Sequence, residues 1–377
     1  MSLRNALEAS QFVEDPRMRF SCGKGARGTD DNTFNMPMGL AFSPERGLLF
    51  VADMENDRVQ VFSSEDGAFV RSIRSFDAEC GTFNKPEGVA IDREHDRIIV
   101  ADTGNRRVVA LSMQEPHQVA FVYSPEPRGA REIAPSGVCV ARGHQRIAII
   151  DPKAHRMYCI SAIDGKELFV VGRQGGGPCE FTCPRDVCYD NVRDRLIIAD
   201  MGNQRVQALS PIDGSFQTMF GNHDASAGRF YGPRGVCVDT RGNVLVVQYN
   251  DMRLTAYTGD GTFLDMIDCM PEHPRSIAFD DGSGTIAFTS RQQVHVIGAN
   301  QWIPGTYAWS PERHRYGTKK LRDIIFTITM IRSVVHGSPI ALLPNELLFE
   351  IYHRIELPAD SRGASVSRKK LQTCTTM

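Results

Sequence analysis

The feature that most constrains this chain is a sequence repeat with a period of 49 residues. The stretch IIVADTGNRRV at residues 98–108 returns as IIADMGNQRV at residues 197–206, so Asp102 and Asp200 lie two periods apart. A more divergent copy between them reads IAIIDPKAHRM, and an earlier copy reads LLFVADMENDRV. Repeats of this length predict a solenoid, an array or a propeller.

A second marker within the repeat, an anchoring proline, fixes the number of units. It precedes a short apolar run in segments such as KPEGVAI and GPRGVCV. The anchoring prolines are Pro37, Pro86, Pro135, Pro184, Pro233 and Pro274, with spacings of 49, 49, 49, 49 and 41 residues. The sequence therefore contains six units.

Each unit divides into four pieces that resemble β-strands. Two apolar runs, such as GVAI and IIVAD, are separated by a polar turn, and a third run, such as RVQVF, ends near a D-G pair that suits a hairpin turn. These pairs are Asp66-Gly67, Asp164-Gly165, Asp213-Gly214 and Asp260-Gly261. Four antiparallel strands in each of six units predict an all-β fold, a six-bladed β-propeller.

The position four residues after each anchoring proline supports this prediction, because every occupant is small. The six residues are Ala41, Ala90, Cys139, Cys188, Cys237 and Ala278. The inner strands of a propeller converge on a central channel, where large side chains would collide. We therefore interpret the three cysteines as small core residues. No C-x-x-C pair occurs in the chain, and we expect neither a metal nor another cofactor.

The last unit lacks an obvious fourth strand before Trp302. The N-terminal segment PRMRFSCGKG resembles the fourth strand of the other units. We therefore predict that residues around Met18–Phe20 complete the last blade and join the two ends of the domain.

The unit P-x-G-[V/L]-A, followed by a D-x-x-N-x-R-V segment, resembles the NHL repeat over residues 12–298. The triplets that carry the resemblance are Asp53/Asn56/Arg58, Asp102/Asn105/Arg107 and Asp200/Asn203/Arg205. We interpret them as structural: the aspartate accepts turn N–H groups, the asparagine adopts the left-handed conformation and the arginine pairs with the carboxylate. Likewise, Phe34, Phe83, Phe181 and Phe230 are predicted to fill the space between blades.

A candidate binding site emerges from the residue directly after each proline, which should lie at one entrance of the channel. These residues are Met38, Glu87, Ser136, Arg185, Arg234 and Arg275, and nearby loops add His223, Arg229 and His273. Arginine side chains suit phosphate, carboxylate or an acidic peptide. We predict a partner-binding site formed by Arg185, Arg234, Arg275, His273 and Arg229. In the alternative interpretation, each arginine pairs with a neighbouring carboxylate such as Asp186 or Glu272.

The sequence favours a non-catalytic interaction scaffold that binds a protein partner on the loop face of the propeller. The net charge of −2 argues against nucleic-acid binding by bulk charge, and no nucleophile-elbow, Walker or dinucleotide motif occurs. The resemblance implies two alternatives: single-stranded RNA binding, and a lyase or lactonase-like enzyme that holds a metal in the channel. Because the residues after the prolines include one glutamate and no histidine, we expect no enzyme activity.

Outside the repeats, we divide the chain into an N-terminal tail (1–11), a linker (299–317), a helical segment (318–356) and a disordered basic tail (357–377). LPNELLFEIYHRI in the helical segment resembles the first helix of an F-box. The resemblance implies a ubiquitin-ligase adaptor as partner, bound by Leu343, Pro344, Leu347, Leu348 and Ile351. The alternative is a helical hairpin that packs on the propeller or dimerises. Without a signal peptide or an apolar spanning run, we expect a cytoplasmic or nuclear protein that does not bind membranes.

Overall fold

The computed structural model describes residues 18–25, 27–75, 81–125, 134–221, 230–267 and 273–298. These residues form six four-stranded antiparallel sheets, which confirms the six-bladed β-propeller. In this part of the chain, no helix is long and apolar enough to cross a membrane. The predicted C-terminal helical segment lies outside the described residues.

The strands follow the sequence order within each blade, and the first strand of each blade lines the channel. Blade 1 contains β2 (Pro37–Ser43), β3 (Leu48–Asp53), β4 (Arg58–Ser63) and β5 (Phe69–Ile73). Blade 2 contains β6 (Pro86–Asp92), β7 (Arg97–Asp102), β8 (Arg107–Ser112) and β9 (Val119–Tyr123). Blade 3 contains β10 (Val138–Ala141), β11 (Arg146–Asp151), β12 (Arg156–Ser161) and β13 (Glu167–Val171).

The second half of the ring repeats this arrangement, except in its last blade. Blade 4 contains β14 (Asp186–Asp190), β15 (Arg195–Asp200), β16 (Arg205–Leu209) and β17 (Phe216–Phe220). Blade 5 contains β18 (Pro233–Val238), β19 (Val244–Gln248), β20 (Arg253–Tyr257) and β21 (Phe263–Ile267). Blade 6 contains β22 (Ile277–Asp280), β23 (Thr285–Thr289) and β24 (Val294–Gly298), and its fourth strand is β1 (Met18–Cys22).

The ring closes as predicted, through a strand from the other end of the domain. Strand β1 pairs antiparallel with β24, from Met18 opposite Ile297 to Cys22 opposite Val294. A buried histidine of β24, His295, joins the two strands through its Nδ1, which lies 3.2 Å from the Ser21 hydroxyl. Burial lowers the pKa of His295 to about 3, so its ring is neutral at pH 7.

The channel wall and the spaces between blades are filled as the sequence predicted. All six small residues, from Ala41 to Ala278, line the channel cavity. The four predicted interblade phenylalanines are at most 2% exposed. Phe181, for example, belongs to a cluster of blade 3 and blade 4 residues, including Ile150 and Ile198. Burial of such large aromatic surfaces stabilises each blade-to-blade contact.

The repeated triplet is structural, and its arginine holds the loop that enters the same blade. In blade 1, Asp53 Oδ2 accepts hydrogen bonds from Asn56 Nδ2 and Arg58 Nε, both at 2.8 Å. The fully buried Arg58 also donates to the carbonyl oxygens of Thr29, Asp30 and Thr33. Its charge is therefore compensated and its donors are satisfied, as a buried guanidinium requires.

One detail of the triplet prediction was wrong. The asparagine does not adopt the left-handed conformation; it ends a short 3-10 turn, and the following residue is left-handed. The affected residues are Asp57 (φ 51°), Arg106 (φ 57°) and Gln204 (φ 52°). The side chain of Asn56 instead donates to the Asp53 carboxylate and to the Gly28 carbonyl oxygen, and these two bonds hold it in the turn.

The hairpin glycines allow neighbouring blades to pack closely. Gly165, in a D-G pair of blade 3, has φ of 72°, and a Cβ there would lie 2.5 Å from Cδ2 of Phe121 in blade 2. Gly67 of blade 1 makes the same approach to Phe20 of β1. Glycine is thus required both for the turn and for the close approach of an aromatic ring.

Removing residues 1–22, which include β1, should open the ring. The exposed edge of β24 should cause aggregation, and the melting temperature should fall by roughly 10 °C or more, because several kcal/mol of strand pairing are lost. Light scattering and thermal unfolding measure both effects. Removal of residues 1–16 is the matched control, because it leaves β1 intact. A monomeric 23–377 protein with unchanged melting temperature would contradict the closure.

Candidate functional site

The six residues that follow the anchoring prolines surround one cavity at an end of the channel. This small, open cavity is lined by Met38, Glu87, Ser136, Arg185, Arg234 and Arg275. We call it the channel mouth. Because each residue occupies the same place in its blade, the ring geometry brings side chains from six distant parts of the sequence together.

Stacked rings position the central arginine of the mouth. The Arg234 guanidinium lies over the Tyr249 ring, with Cζ 5.0 Å from the ring centroid. Tyr249 in turn stacks on His273, with centroids 4.7 Å apart and planes at 26°. Arg234 therefore gains a cation–π contact that consumes none of its hydrogen-bond donors.

The other two arginines of the mouth have buried donors without an acceptor. Within the described residues, Nε of Arg185 and both Nε and Nη1 of Arg275 have no hydrogen-bond partner. Arg275 is only 8% exposed. An unsatisfied buried donor costs about 1–3 kcal/mol, and more when it is charged.

The alternative in which carboxylates neutralise these arginines finds no support in the described ranges. There, no aspartate or glutamate lies within ion-pair distance of Arg185, Arg234 or Arg275. Asp186 lines the mouth, but its Oδ1 and Oδ2 accept hydrogen bonds from the backbone N–H groups of Val187 and Val236. Glu272, the other carboxylate considered, lies outside the described residues.

Like charges are crowded at the mouth. The pKa of Arg234 falls from 12.5 to about 10, because the guanidinium is buried and because Arg185 and Arg275 are close to it. The pKa of the Glu87 carboxyl is raised by burial, although the charges of the three arginines and of Lys153 oppose that rise. The mouth thus holds an excess of positive charge in a partly desolvated cavity, where electrostatic attraction is stronger than in water.

Asp186 is the unusual carboxylate of the channel wall. It occupies a position that is glycine in four of the other units, and it lines both the mouth and the larger channel cavity. Burial raises its pKa from 3.8 to about 7, against the two backbone N–H donors and the charge of Arg234. Asp186 therefore exchanges its proton near neutral pH.

The larger channel cavity also has arginines, but these are paired. Arg93 Nη2 donates to Asp281 Oδ1 at 2.9 Å, and Arg142 Nη1 donates to Asp281 Oδ2 at 3.2 Å. Arg93 also pairs with Glu45 at 3.0 Å. Arg93 Nε is also buried without a hydrogen-bond partner in the described residues, so the channel mouth differs from the larger cavity in that no carboxylate there pairs with its arginines.

The structure brings together four of the five predicted partner-binding residues. Arg185, Arg234 and Arg275 line the mouth. The exposed His273 stacks on Tyr249, which in turn contacts Arg234. Arg229 lies outside the described residues, as do the predicted adaptor-binding residues Leu343, Pro344, Leu347, Leu348 and Ile351.

Sequence reasoning missed Tyr249 and Lys153. The position after the second strand of each blade holds Met54, Thr103, Pro152, Met201, Tyr249 and Ser290, so an aromatic residue in this column was the available signal. Lys153 acts on Glu87 through its charge. No spacing in the sequence connects Lys153 with Glu87, because they come from different blades.

The described residues include no group of three or more histidine, cysteine, aspartate or glutamate side chains that could hold a metal ion. The three channel cysteines are free thiols, and burial raises the pKa of Cys188 and Cys237 well above the usual range. All three line the channel, which agrees with their interpretation as small wall residues.

Comparison with known proteins supports the repeat and the fold. A family model described as NHL repeat matches residues 83–111 and 181–209. No curated protein matches the sequence significantly.

Similar solved structures include a gluconolactonase from Xanthomonas campestris, with 19% identity and a TM-score of 0.55, over 71% of this chain and 87% of that one. A luciferin-regenerating enzyme has 12% identity and a TM-score of 0.55, over 74% and 95%. Virginiamycin B lyase from Staphylococcus aureus has 13% identity and a TM-score of 0.53, over 72% and 97%. At such identities the likeness concerns the fold alone: this chain is a six-bladed propeller that contains NHL repeats.

Replacing Asp186 with asparagine should change how stability depends on pH. The folded-state pKa is raised, so the wild-type carboxyl contributes most stability below pH 3.8 and loses it as pH rises through about 7. Relative to wild type, Asp186→Asn should gain up to roughly 4 kcal/mol between pH 4 and pH 8, at about 1.4 kcal/mol per pH unit. Urea unfolding across this range measures the gain. The exposed Glu65→Gln is the control, and equal pH profiles for wild type and Asp186→Asn would contradict the assignment.

Proposed function

We propose that this propeller is a non-catalytic recognition module that binds an anionic group of a protein partner at the channel mouth. The observation that carries the proposal is the set of buried, unpartnered donors of Arg185 and Arg275 around one cavity. An anion there would compensate the charge of these two guanidinium groups and relieve the repulsion that lowers the pKa of Arg234. Arginine at the centre of a binding surface is also a frequent energetic hot spot.

Charge reversal at the mouth should abolish binding without unfolding the protein. A fluorescent pool of nine-residue peptides with a central glutamate should bind wild type, and the affinity should drop at least tenfold in Arg185→Glu/Arg234→Glu/Arg275→Glu. A tenfold loss corresponds to about 1.4 kcal/mol. Fluorescence anisotropy measures binding, and thermal unfolding verifies the fold.

The matched control reverses three exposed charges outside the mouth: Lys24→Glu/Lys166→Glu/Arg173→Glu. It makes the same change in net charge, so it separates local from global electrostatics. Unaltered binding in the folded mouth variant would reject the channel mouth as the site. A large loss of stability in the mouth variant would instead show that these arginines stabilise the propeller.

RNA is the alternative ligand for the loop face of the propeller. A strand that contacts several cations through its phosphates loses affinity steeply with salt, because counterions are released. A single anionic side chain at the mouth loses far less. Titration of wild type with a single-stranded RNA pool and with the glutamate peptide pool, each at two salt concentrations, distinguishes the two ligands.

A small-molecule enzyme is the second candidate function, and Asp186 is the observation that favours it. Its pKa of about 7 suits a group that accepts and releases a proton near neutral pH. The gluconolactonase and lyase folds of similar structures agree with a channel site. Lactone hydrolysis by wild type that is lost in Asp186→Asn would favour this candidate over the recognition module.

The sequence alone supports the second half of the proposed function, recruitment of a ubiquitin-ligase adaptor by residues 318–356. If the F-box-like helix binds an adaptor, a purified adaptor should co-elute with the full chain. Leu347→Glu/Leu348→Glu should remove this co-elution and leave peptide binding at the mouth unchanged. Co-elution that persists in this variant would contradict the assignment of these leucines.

A further inference from the structure

We propose that the anion taken by the channel mouth is a dianionic phosphoryl group, carried on a phosphorylated side chain of the partner protein. The inference rests on the proposed function, since it names the chemical class that the same site selects. The balance of charge at the mouth favours phosphate over carboxylate, and the supply of arginine donors and the way in which Arg234 is held suit the same ligand.

The arginine donors of the mouth suit a phosphoryl group. Three guanidinium nitrogens at the mouth lack a partner within the described part of the chain: Nε of Arg185, and Nε and Nη1 of Arg275. A phosphoryl group presents three terminal oxygens, whereas a carboxylate presents two. Charge-assisted bonds from arginine to such oxygens are among the strongest hydrogen bonds in proteins.

The charge balance also favours a dianion. Three guanidinium groups line the mouth and face two carboxyl groups, Glu87 and Asp186. Both carboxyl groups resist ionisation, because burial raises their pKa values. A phosphoserine carries about −1.5 to −2 charges at pH 7, and a glutamate carries one. The dianion therefore compensates more of the positive charge that the cavity concentrates.

The stack behind Arg234 occupies the face of the guanidinium and none of its hydrogen-bond donors. Tyr249 contacts the guanidinium face, and His273 supports Tyr249 from its other side. The hydrogen bond that Arg234 makes is a weak one, from Nη2 to the Met38 sulfur at 3.9 Å. Arg234 thus remains able to exchange that contact for a phosphoryl oxygen without losing its cation–π contact.

Three peptide pools that differ only at the central residue test the inference on the full chain. Their central residues are serine, glutamate and phosphoserine. We expect the phosphoserine pool to bind wild type at least tenfold more tightly than the glutamate pool, and the serine pool not to bind. Arg275→Gln should remove the preference for phosphoserine. Arg275→Lys, which keeps the charge but loses the fork of donors, should retain part of it.

The peptide pools also separate this inference from the proposed function. Equal affinity for glutamate and phosphoserine would overturn the phosphoryl assignment and leave anion recognition standing. No binding of either anionic pool would overturn both. Arg173→Gln, an exposed site outside the mouth, is the control and should match wild type.

A second measurement on wild type reports the charge state of the bound group. The phosphorus NMR shift of the phosphoserine pool should titrate with a lower pKa in the complex than in free peptide, where it is about 6. An unchanged or raised pKa would show that the site does not select the dianion. Because it needs no substitution, this measurement decides the question even if the Arg275 variants fail to fold.

Discussion

The structure depends on one constraint: six inner strands must converge on a common axis. Convergence allows only small side chains at the narrowest level, which alanine and cysteine supply in every blade. The same convergence gathers the residues that begin these strands into a ring, so Arg185, Arg234 and Arg275 share one cavity although they lie far apart in sequence. The candidate site therefore follows from the convergence of the six inner strands.

Arginine has two different roles in this propeller, and its hydrogen-bond partners distinguish them. Arg58 and Arg205 are almost completely buried, but a triplet aspartate and several loop carbonyl oxygens occupy their donors. Arg275 is nearly as buried, yet two of its nitrogens have no partner in the described ranges. The first arrangement stabilises the fold, and the second holds an unfavourable charge that a ligand can compensate.

The periodic part of the structure could be predicted from sequence, because each blade repeats the same physical solution. Blade number, the closing strand, the small column and the structural triplet all followed from the period. Individual side-chain contacts could not be predicted: the stacking of Arg234 on Tyr249 within blade 5, and the hydrogen bond from Val236 of blade 5 to Asp186 of blade 4, depend on distances that no spacing encodes. The left-handed residue was misplaced by one position, because Asn56 uses its side chain in the turn instead.

Anomalous diffraction from crystals soaked in tungstate, a tetrahedral dianion with a strong signal, tests whether the channel mouth binds such an anion. We expect a peak in the channel mouth, beside the guanidinium groups of Arg185 and Arg275. The peak should be absent from crystals of Arg275→Gln. A tungstate ion bound elsewhere, with the channel mouth empty of it, would contradict the account.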